Sequence, residues 1–480
     1  MSGGGADCLA PREHGGNHEG SFVMGLPALD TPPPLSQAAT KTYAVSGDLR
    51  GPTSLRGYDP ELPFATESAN RAPIQLAPGQ DKDDPEGRIL NFENITEPQP
   101  LRGTRGGTIA SNHDIELEKS HPDSFAPPTT DHGAVKQAEW PLGLSHVKLG
   151  LDRAGWSRQQ NINVLPAATE MAGVNMRLEA GGYRELHWHT AGEWALMLNG
   201  SARIQAMNVD GQTFIDDVTK GDVWFFPSGV PHSIQGLENG TEFLLVFDDG
   251  EFSEDSTFLV SETFALNPKE VLTKNFQLPE RAFNDIPEGE LFIFPGTEAP
   301  EDIEKQNVTG PAGIIPNKES YSYHWSLQKP ITAPGGTVKI LDSNTFPIAE
   351  NFAAALVTIK PGALREIHWH PDSDEWSYFL SGTARLTIYA AQGNARTFDF
   401  RTGDVGYIPK SQTHYIENTG TEDVVVLEVL QAKRFTDFSV GQWLALTPPQ
   451  VVQDTLHLSD ESISKLSKDK PFVVDGPIPE

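Results

Sequence analysis

Basic residues are scarce in this chain of 480 residues, which has 36 lysines and arginines against 66 aspartates and glutamates and a formal net charge of −30. Phosphate contacts require clustered lysine and arginine side chains, so this balance argues against nucleic acid as a partner. A small anionic substrate stays open, because such a substrate responds to local charge rather than to the net charge of the protein.

Cysteine is almost absent, since Cys8 is the single one. An intrachain disulfide is therefore excluded, and a cysteine-based metal site or nucleophile is not expected so close to a polar terminus. Long apolar runs are also missing, because no stretch reaches the length of about 18 apolar residues that indicates a membrane-spanning helix. We expect no membrane partner.

The first residues contain neither the basic segment nor the apolar segment of a secretory signal, which as read favours a cytoplasmic protein. Asn-X-Ser/Thr sequons nevertheless occur at Asn94, Asn199, Asn239 and Asn307. One interpretation is chance occurrence in a cytoplasmic protein. The other is a secreted protein whose leader is not part of this sequence.

Composition divides the chain near residue 135. Residues 1–135 are rich in Gly, Pro, Asp and Asn without sustained apolar periodicity, which predicts an irregular, partly disordered N-terminal arm. Further on, short runs rich in Val, Ile, Phe and Trp alternate with Gly and Pro turns. Closely spaced strands without helical stripes between them predict an all-β sandwich or barrel.

The second half of the chain repeats the first half in the same order. NGSARIQAMNVDGQTFIDDVTKGDVWFFP is matched by SGTARLTIYAAQGNARTFDFRTGDVGYIP, and a more helical stretch follows each copy. Internal duplication of this kind predicts two domains with one fold. We assign them to residues 136–320 and 321–480.

Each copy contains two histidines and a glutamate at a spacing typical of metal ligands. His187 and His189 are two residues apart, so on a strand both side chains point to one face, and Glu193 follows after a short turn. In the second copy that turn is one residue longer. An insertion within a strand would move the glutamate to the other face, so the two copies together predict a loop that joins the strands of a hairpin.

A third histidine completes each set at the end of a matching Gly-Pro segment, GDVWFFPSGVPH or GDVGYIPKSQTH. Three neutral imidazoles and one carboxylate suit a divalent first-row metal and leave positions open on an octahedral ion. An isolated His-X-His is more often a buried structural pair, but two complete sets favour a metal in each copy. The predicted ligands are His187, His189, Glu193 and His232, and His368, His370, Glu375 and His414.

These residues resemble the two motifs of the cupin family. The first motif, G-x5-HxH-x3,4-E-x6-G, is met from Gly181 to Gly200 and from Gly362 to Gly382. The second, G-x5-P-x-G-x2-H-x3-N, is met with Gly236 in place of Asn in the first copy and Ser411 in place of Gly in the second. The resemblance implies a bicupin, with two jelly-roll β-barrels and short helices after each.

Further segments, among them PSGVPHSIQ, EFLLVFDDGEFSEDSTF and GQWLALTP, resemble the oxalate decarboxylases over roughly residues 135–470. This resemblance implies two manganese ions per chain and conversion of oxalate and a proton to formate and carbon dioxide. It also implies dioxygen as a co-catalyst that is not consumed, and a homo-oligomer, either a trimer or a hexamer.

Two arginines are candidates for binding the substrate. Arg184 precedes His187 by three residues, which on a regular strand puts it on the opposite face, so a bend near Glu185 or a long reach is required. The resemblance implies that Arg184 does reach the substrate and that Arg365 is its equivalent. The alternative for both is a surface salt bridge.

Two glutamates are candidate proton donors. Glu254 in GEFSEDSTF resembles a lid glutamate of the family, with Asp255 where the family has Asn, and we expect the added charge to raise its pKa. Without the resemblance this segment is read as a solvated loop. Glu428 is a lone acid in the apolar run VVVLEVL, and it needs a partner or a raised pKa.

The first copy has Val246 where the second has Glu428, so the two sites are chemically unequal. We predict site one as the main catalytic centre and Glu428 as the acid of site two. The alternatives are oxalate oxidase, which gives carbon dioxide and hydrogen peroxide, a non-catalytic storage or binding bicupin, and another metal dioxygenase. Glu254 discriminates against the oxidase, because an oxidase has no proton donor there.

Overall fold

A computed structural model describes residues 130–476 of the chain. Residues 1–129 and 477–480 lie outside this range, and with them Cys8, Asn94 and all but the last residues of the predicted N-terminal arm. The described part is mostly β-sheet with a few short helices, which confirms the predicted all-β class. No helix in that part is both long and apolar enough to cross a membrane.

The first half of the described chain contributes eleven strands. They are β1 Glu139–Pro141, β2 Val147–Leu149, β3 Gly155–Gln160, β4 Ala172–Leu178, β5 Gly182–Trp188, β6 Glu193–Met207, β7 Thr213–Thr219, β8 Val223–Phe226, β9 His232–Phe247, β10 Phe258–Leu259 and β11 Ile293–Pro295. Helices α1 Val260–Ala265 and α2 Lys269–Phe276 follow β10.

The second half repeats this order. Its strands are β12 Ser322–Tyr323, β13 Ile331–Ala333, β14 Gly336–Leu341, β15 Ala353–Ile359, β16 Leu364–Trp369, β17 Glu375–Ser381, β18 Thr383–Ala390, β19 Asn394–Arg401, β20 Asp404–Ile408, β21 Thr413–Asn418, β22 Val424–Leu430, β23 Phe438–Ser439 and β24 Val473–Val474. Helices α3 Val440–Ala445, α4 Pro449–Leu456 and α5 Asp460–Ser464 lie between β23 and β24, in the stretch predicted to be helical.

Antiparallel pairing joins the strands of each half into a barrel. In the first half, β2, β3, β4, β9, β6 and β8 lie in this order, while β5 pairs with β9 and β7 pairs with β6. In the second half, one sheet has the order β20-β17-β22-β15-β14-β13 and the other has the order β19-β18-β21-β16-β23. The predicted duplication is therefore a duplication of barrels.

Glycines turn the chain at corresponding corners of the two barrels. Gly200 in the middle of β6 has a φ of 70°, and a Cβ there would lie 2.0 Å from the carbonyl oxygen of Gly240. In the second half Gly382, with a φ of 82°, separates β17 from β18. Both positions need the left-handed conformation that glycine adopts at little cost, so these glycines let the chain turn within β6 and between β17 and β18.

The barrels exchange their leading strands. β1 pairs with β20 of the second barrel, and β12 pairs with β8 of the first. Between the barrels lies a shared apolar cluster that contains Trp194 and Trp376. The indole of Trp376 donates a hydrogen bond to Gln160 in the other barrel, with 2.7 Å from Nε1 to Oε1. The domain boundaries at residues 136–320 and 321–480 stay a prediction, which we retain as a proposal.

Candidate metal centres

Two neighbouring strands bring the histidines of each barrel together. His187 on β5 lies directly opposite His232 on β9, with their ring centroids 4.1 Å apart. His368 on β16 lies opposite His414 on β21, with a separation of 4.2 Å. His189 and His370 follow immediately after β5 and β16. In each half, three imidazoles therefore converge inside the barrel.

A glutamate at the start of the next strand completes each cluster. Glu193 begins β6, and its Oε2 lies 3.2 Å from His189 Nε2 and 3.6 Å from His232 Nε2. Glu375 begins β17, and its Oε2 lies 2.8 Å from His370 Nε2 and 3.1 Å from His414 Nε2. In each set one donor atom per residue lies within 4.8 Å of all the others, and all eight residues are buried. The structure thus brings together both predicted ligand sets.

Backbone carbonyl groups determine which ring nitrogen carries hydrogen. The Nδ1 atoms of His187, His189 and His232 lie 2.6 to 2.8 Å from backbone oxygens. Those of His368, His370 and His414 lie 2.7 to 3.0 Å from backbone oxygens. A carbonyl oxygen only accepts, so each Nδ1 must donate, and each neutral ring keeps its lone pair on Nε2.

Three Nε2 lone pairs and a carboxylate oxygen therefore face one another without a hydrogen between them. Nε2 of His232 and Nε2 of His368 are buried and have no hydrogen-bond partner. Burial, and then the charge of Arg184, lower the pKa of His187 well below its usual range. Burial, and then Arg365, do the same to the pKa of His368. Protonation is thus disfavoured, and the donor set fits a divalent metal cation, which would satisfy all four acceptors at once.

The second carboxylate oxygen of each glutamate is held by a residue that the sequence did not single out as a ligand partner. Trp224 Nε1 donates to Glu193 Oε1 over 2.9 Å, and Ser377 Oγ donates to Glu375 Oε1 over 2.5 Å. Burial alone would raise the pKa of Glu193, but its close contacts with the imidazoles of His189 and His232 bring it below the usual range. Each glutamate therefore directs a charged Oε2 at the histidines.

A β-bulge turns both arginines towards the interior. The pairing of β5 with β9 shifts register between Arg184 and His187, and the pairing of β16 with β21 shifts between Arg365 and His368. The bend that the sequence requires near Glu185 is therefore present. Both arginines are almost fully buried, at 2% and 1% exposed, which excludes the surface salt bridge as their role.

Glu254 reaches site one from the loop between β9 and β10. Its Oε2 lies 3.2 Å from Arg184 Nη2, and the residue is 5% exposed. Burial raises the pKa of Glu254, against the opposing effect of Arg184. The sequence attributed such a rise to Asp255, but the Asp255 carboxylate instead contacts Lys148. The segment is therefore an ordered turn with one acid inside, and not simply a solvated loop.

At site two, Arg365 contacts two carboxylates. Nε lies 3.2 Å from Glu428 Oε1, and Nη2 lies 2.6 Å from Asp437 Oδ2. The fully buried Glu428 thus has the partner that it needs. Sequence reasoning missed Asp437. A comparison of the two copies offers a signal for it, because Asp437 directly precedes Phe438, the residue that pairs with Trp369.

Comparison with known proteins agrees with this geometry. The model of the cupin family matches residues 151–282 and 326–464. Oxalate decarboxylase OxdC of Bacillus subtilis is 45% identical over 377 residues, which cover 78% of this chain and 97% of that protein. A probable oxalate decarboxylase of Arthroderma benhamiae is 39% identical over 382 residues, which cover 78% and 93%.

Solved structures of an oxalate decarboxylase are similar to this chain in fold and in sequence. A structure of the Bacillus subtilis oxalate decarboxylase at pH 4.6 has a TM-score of 0.75 and 44% identity, and covers 79% of this chain and 98% of that chain. A structure from work on the Mn(II) centres of that enzyme has a TM-score of 0.76 and the same identity, and covers 79% and 100%.

Loss of one ligand should empty one cluster only. We expect His187→Ala to lower the metal content after dialysis from two ions per chain to one, because the two donor sets are separate. Elemental analysis of the purified protein measures this. His324→Ala is the control, since this histidine is half-exposed and lies outside both clusters. Retention of both ions by His187→Ala would contradict the assignment.

Proposed function

The chain belongs to the cupin family and, within it, to the oxalate decarboxylases, and from this premise we propose that it converts oxalate and a proton to formate and carbon dioxide. The observation that carries the proposal is the buried pair of Arg184 and Glu254 beside the His₃Glu cluster of site one. A manganese ion held by each cluster would bind the substrate carboxylate and, with dioxygen as co-catalyst, supply the one-electron chemistry.

Arg184 is the proposed anion-binding group. Its guanidinium stays charged at all relevant pH values and presents several N–H donors in one plane, which suits a carboxylate. It lies in the barrel, with Nη1 also donating to the carbonyl oxygen of Phe292 over 3.4 Å. Substrate would therefore meet a fixed positive charge, which stabilises the negative charge that remains as carbon dioxide leaves.

Glu254 is the proposed acid and base. The reaction removes a proton from the bound substrate when an electron is withdrawn, and returns a proton to carbon when formate is made. A carboxyl group with a raised pKa serves both steps, because it can accept and later donate within the same site. Its Oε2 lies 3.2 Å from Arg184 Nη2, so the donor and the anion-binding group would both contact a substrate bound there.

Site two is the proposed minor centre. Arg365 contacts the carboxylates of both Glu428 and Asp437, whereas Arg184 contacts only that of Glu254 among the described residues. Less of the Arg365 guanidinium is therefore open to a substrate anion. Glu428 remains the proposed acid of site two, and Arg365 its anion-binding group.

A product assay on the manganese-loaded protein, given oxalate in air, tests the proposal. We expect formate with little hydrogen peroxide. Glu254→Gln should lower the rate of formate production by about 10²- to 10⁴-fold, the usual effect of removing a general acid. Glu251→Gln, an exposed change in the same loop, should leave that rate unchanged. Peroxide without formate from the unchanged chain would favour oxalate oxidase, and neither product would favour a binding protein.

The rate should depend on pH in one direction. Because burial raises the pKa of Glu254, this side chain keeps its proton to a higher pH than an ordinary glutamate does. The donor must be protonated, so we expect kcat for formate to be high in acid and to fall as the pH rises through that raised pKa. A flat profile between about pH 4 and about pH 8 would contradict this role.

We also propose that copies of the chain associate. Both halves expose apolar residues at equivalent positions, on the ligand-bearing strands, the short strands that pair with them and the helices that follow. The pairs are Leu186 and Ile367, Phe258 and Phe438, Leu266 and Leu446, and Val271 and Val451. The face of one half would pack against the corresponding face of the other half in a second copy, and such head-to-tail contacts form a ring where the rotation between copies closes.

Light scattering of the purified protein measures the mass of this assembly. We expect a trimer or a hexamer, and Leu266→Glu combined with Leu446→Glu should lower the mass, since each change puts a charge in the apolar face. Exposed Val209→Glu is the control, because Val209 lies in the turn between β6 and β7 and belongs to none of these four pairs. A monomer for the unchanged chain would contradict the proposal.

A further inference from the structure

The lid segment, residues 250–257, lies over site one between β9 and β10. Two side chains near the end of β3 hold its backbone. Gln159 Oε1 accepts from the backbone N–H of Glu254 over 3.0 Å, and Asn161 Nδ2 donates to the carbonyl oxygen of Phe252 over 2.9 Å. With the backbone so held, Glu254 points inward and Asp255 points outward, with the Asp255 side chain 77% exposed.

Lys148 on β2 joins the lid segment to a second segment over Arg184. Its Nζ lies 2.8 Å from Asp255 Oδ1 and 2.6 Å from Glu290 Oε1. The same ammonium group lies 4.1 Å from the ring centroid of Phe292, and the guanidinium of Arg184 lies 4.5 Å from that centroid. We call residues 290–292 the cover segment, since they contact both the arginine and the lysine.

The second half contains the same arrangement, made by other residues. Phe472 has a φ of 57°, as Phe292 has one of 52°, and its carbonyl oxygen accepts from Arg365 Nη1 over 3.4 Å. Lys470 lies two residues earlier, with its Nζ 4.9 Å from the Phe472 ring centroid. It forms an ion pair with Asp437, at the end of the loop between β22 and β23.

The two copies reach one result with different chemistry. In the second half the lysine, Lys470, belongs to the segment that covers the arginine, and it pairs directly with Asp437 in the loop between β22 and β23. In the first half the equivalent cover position is Glu290, which would repel the acidic lid, and Lys148 from β2 lies between the two acids. A lysine that bridges loop and cover therefore occurs at both sites, which is unexpected for a chance surface pair.

We propose that Lys148 is a positioning residue that latches the lid segment of site one through Asp255 and so keeps the Glu254 carboxyl against Arg184. The proposal rests on the function given above. Lys148 stays bound to Glu290 when the lid opens, so the ammonium remains in position to bind Asp255 again and little side-chain entropy opposes closing. Since the pair is partly exposed, its effect on lid opening should be about two- to fivefold.

The position of the lid segment decides whether the proton of Glu254 is available to the reacting carbon. With the lid closed, Glu254 protonates the carbon that becomes formate. With the lid open, that proton is absent, and both electrons of the carbon–carbon bond pass to dioxygen. Oxalate and dioxygen then give two molecules of carbon dioxide and, with two protons, one of hydrogen peroxide. The latch should therefore set the ratio of peroxide to formate.

Hydrogen–deuterium exchange of the lid amides in the manganese-loaded full chain tests the latch directly. We expect exchange to rise about two- to fivefold in Lys148→Met and in Asp255→Asn, and the double variant to resemble either single one. High salt should speed exchange in the unchanged chain and not in these variants, because it screens the ion pair. Lys148→Arg should restore most of the protection.

Arg177→Met is the matched control. Arg177 on β4 is as exposed as Lys148, at 28% against 29%, and it pairs with Glu179, away from the lid. Unchanged lid exchange in Lys148→Met, or an equal rise in Arg177→Met, would overturn the latch.

The product ratio tests the positioning role separately. We expect the ratio of peroxide to formate to rise about two- to fivefold in Lys148→Met and Asp255→Asn, with the same metal content as the unchanged chain. Faster lid exchange without a change in this ratio would overturn the role in catalysis. If the unchanged chain made no formate, the proposed function would fail, while the exchange experiment would still decide whether Lys148 holds the lid.

Discussion

Both candidate centres depend on the hydrogen bond between each imidazole Nδ1 and a backbone carbonyl oxygen. These bonds fix the tautomer of six rings, so that every Nε2 presents a lone pair to the barrel interior. Buried acceptors without a donor are costly, at about 1–3 kcal/mol each. A cation that binds three such nitrogens and a carboxylate oxygen removes that cost. The strands around each cluster therefore fold into a site that is complete only with a metal.

The β-bulge in β5 and β16 has two effects at once. It turns Arg184 and Arg365 from the face that regular alternation would give them to the face of the ligands. It also directs the carbonyl oxygens of Glu185 and Glu366 towards the Nδ1 atoms of His187 and His368. One irregularity of the backbone thus positions a metal ligand and the anion-binding group three residues before it. A bulge next to an active site commonly re-aims side chains in this way.

The sequence predicts the ligand sets well, because strand alternation and the one-residue difference between the copies constrain where the glutamates point. The fold class follows from the same short strands. Contacts between segments that are far apart in the sequence are not predicted by strand alternation. β1 and β12 have three and two residues, too few for any periodicity, so the exchange of strands between barrels leaves no local pattern. Asp437 and Lys148 likewise contact residues far away in the chain, and strand periodicity does not predict such contacts.

Duplication gave two barrels with equal ligand sets, and the loops after β9 and β22 make them unequal. The loop covers residues 248–257 in the first half and 431–437 in the second. The longer loop brings one carboxyl, Glu254, to an arginine from a segment held by side-chain contacts. The shorter loop brings Asp437, and β22 before it brings Glu428, so two carboxylates contact Arg365. An arginine with one carboxylate partner leaves more of its guanidinium open to an anion than an arginine with two such partners. The inequality of the sites therefore lies in what contacts the arginine and not in what would bind the metal.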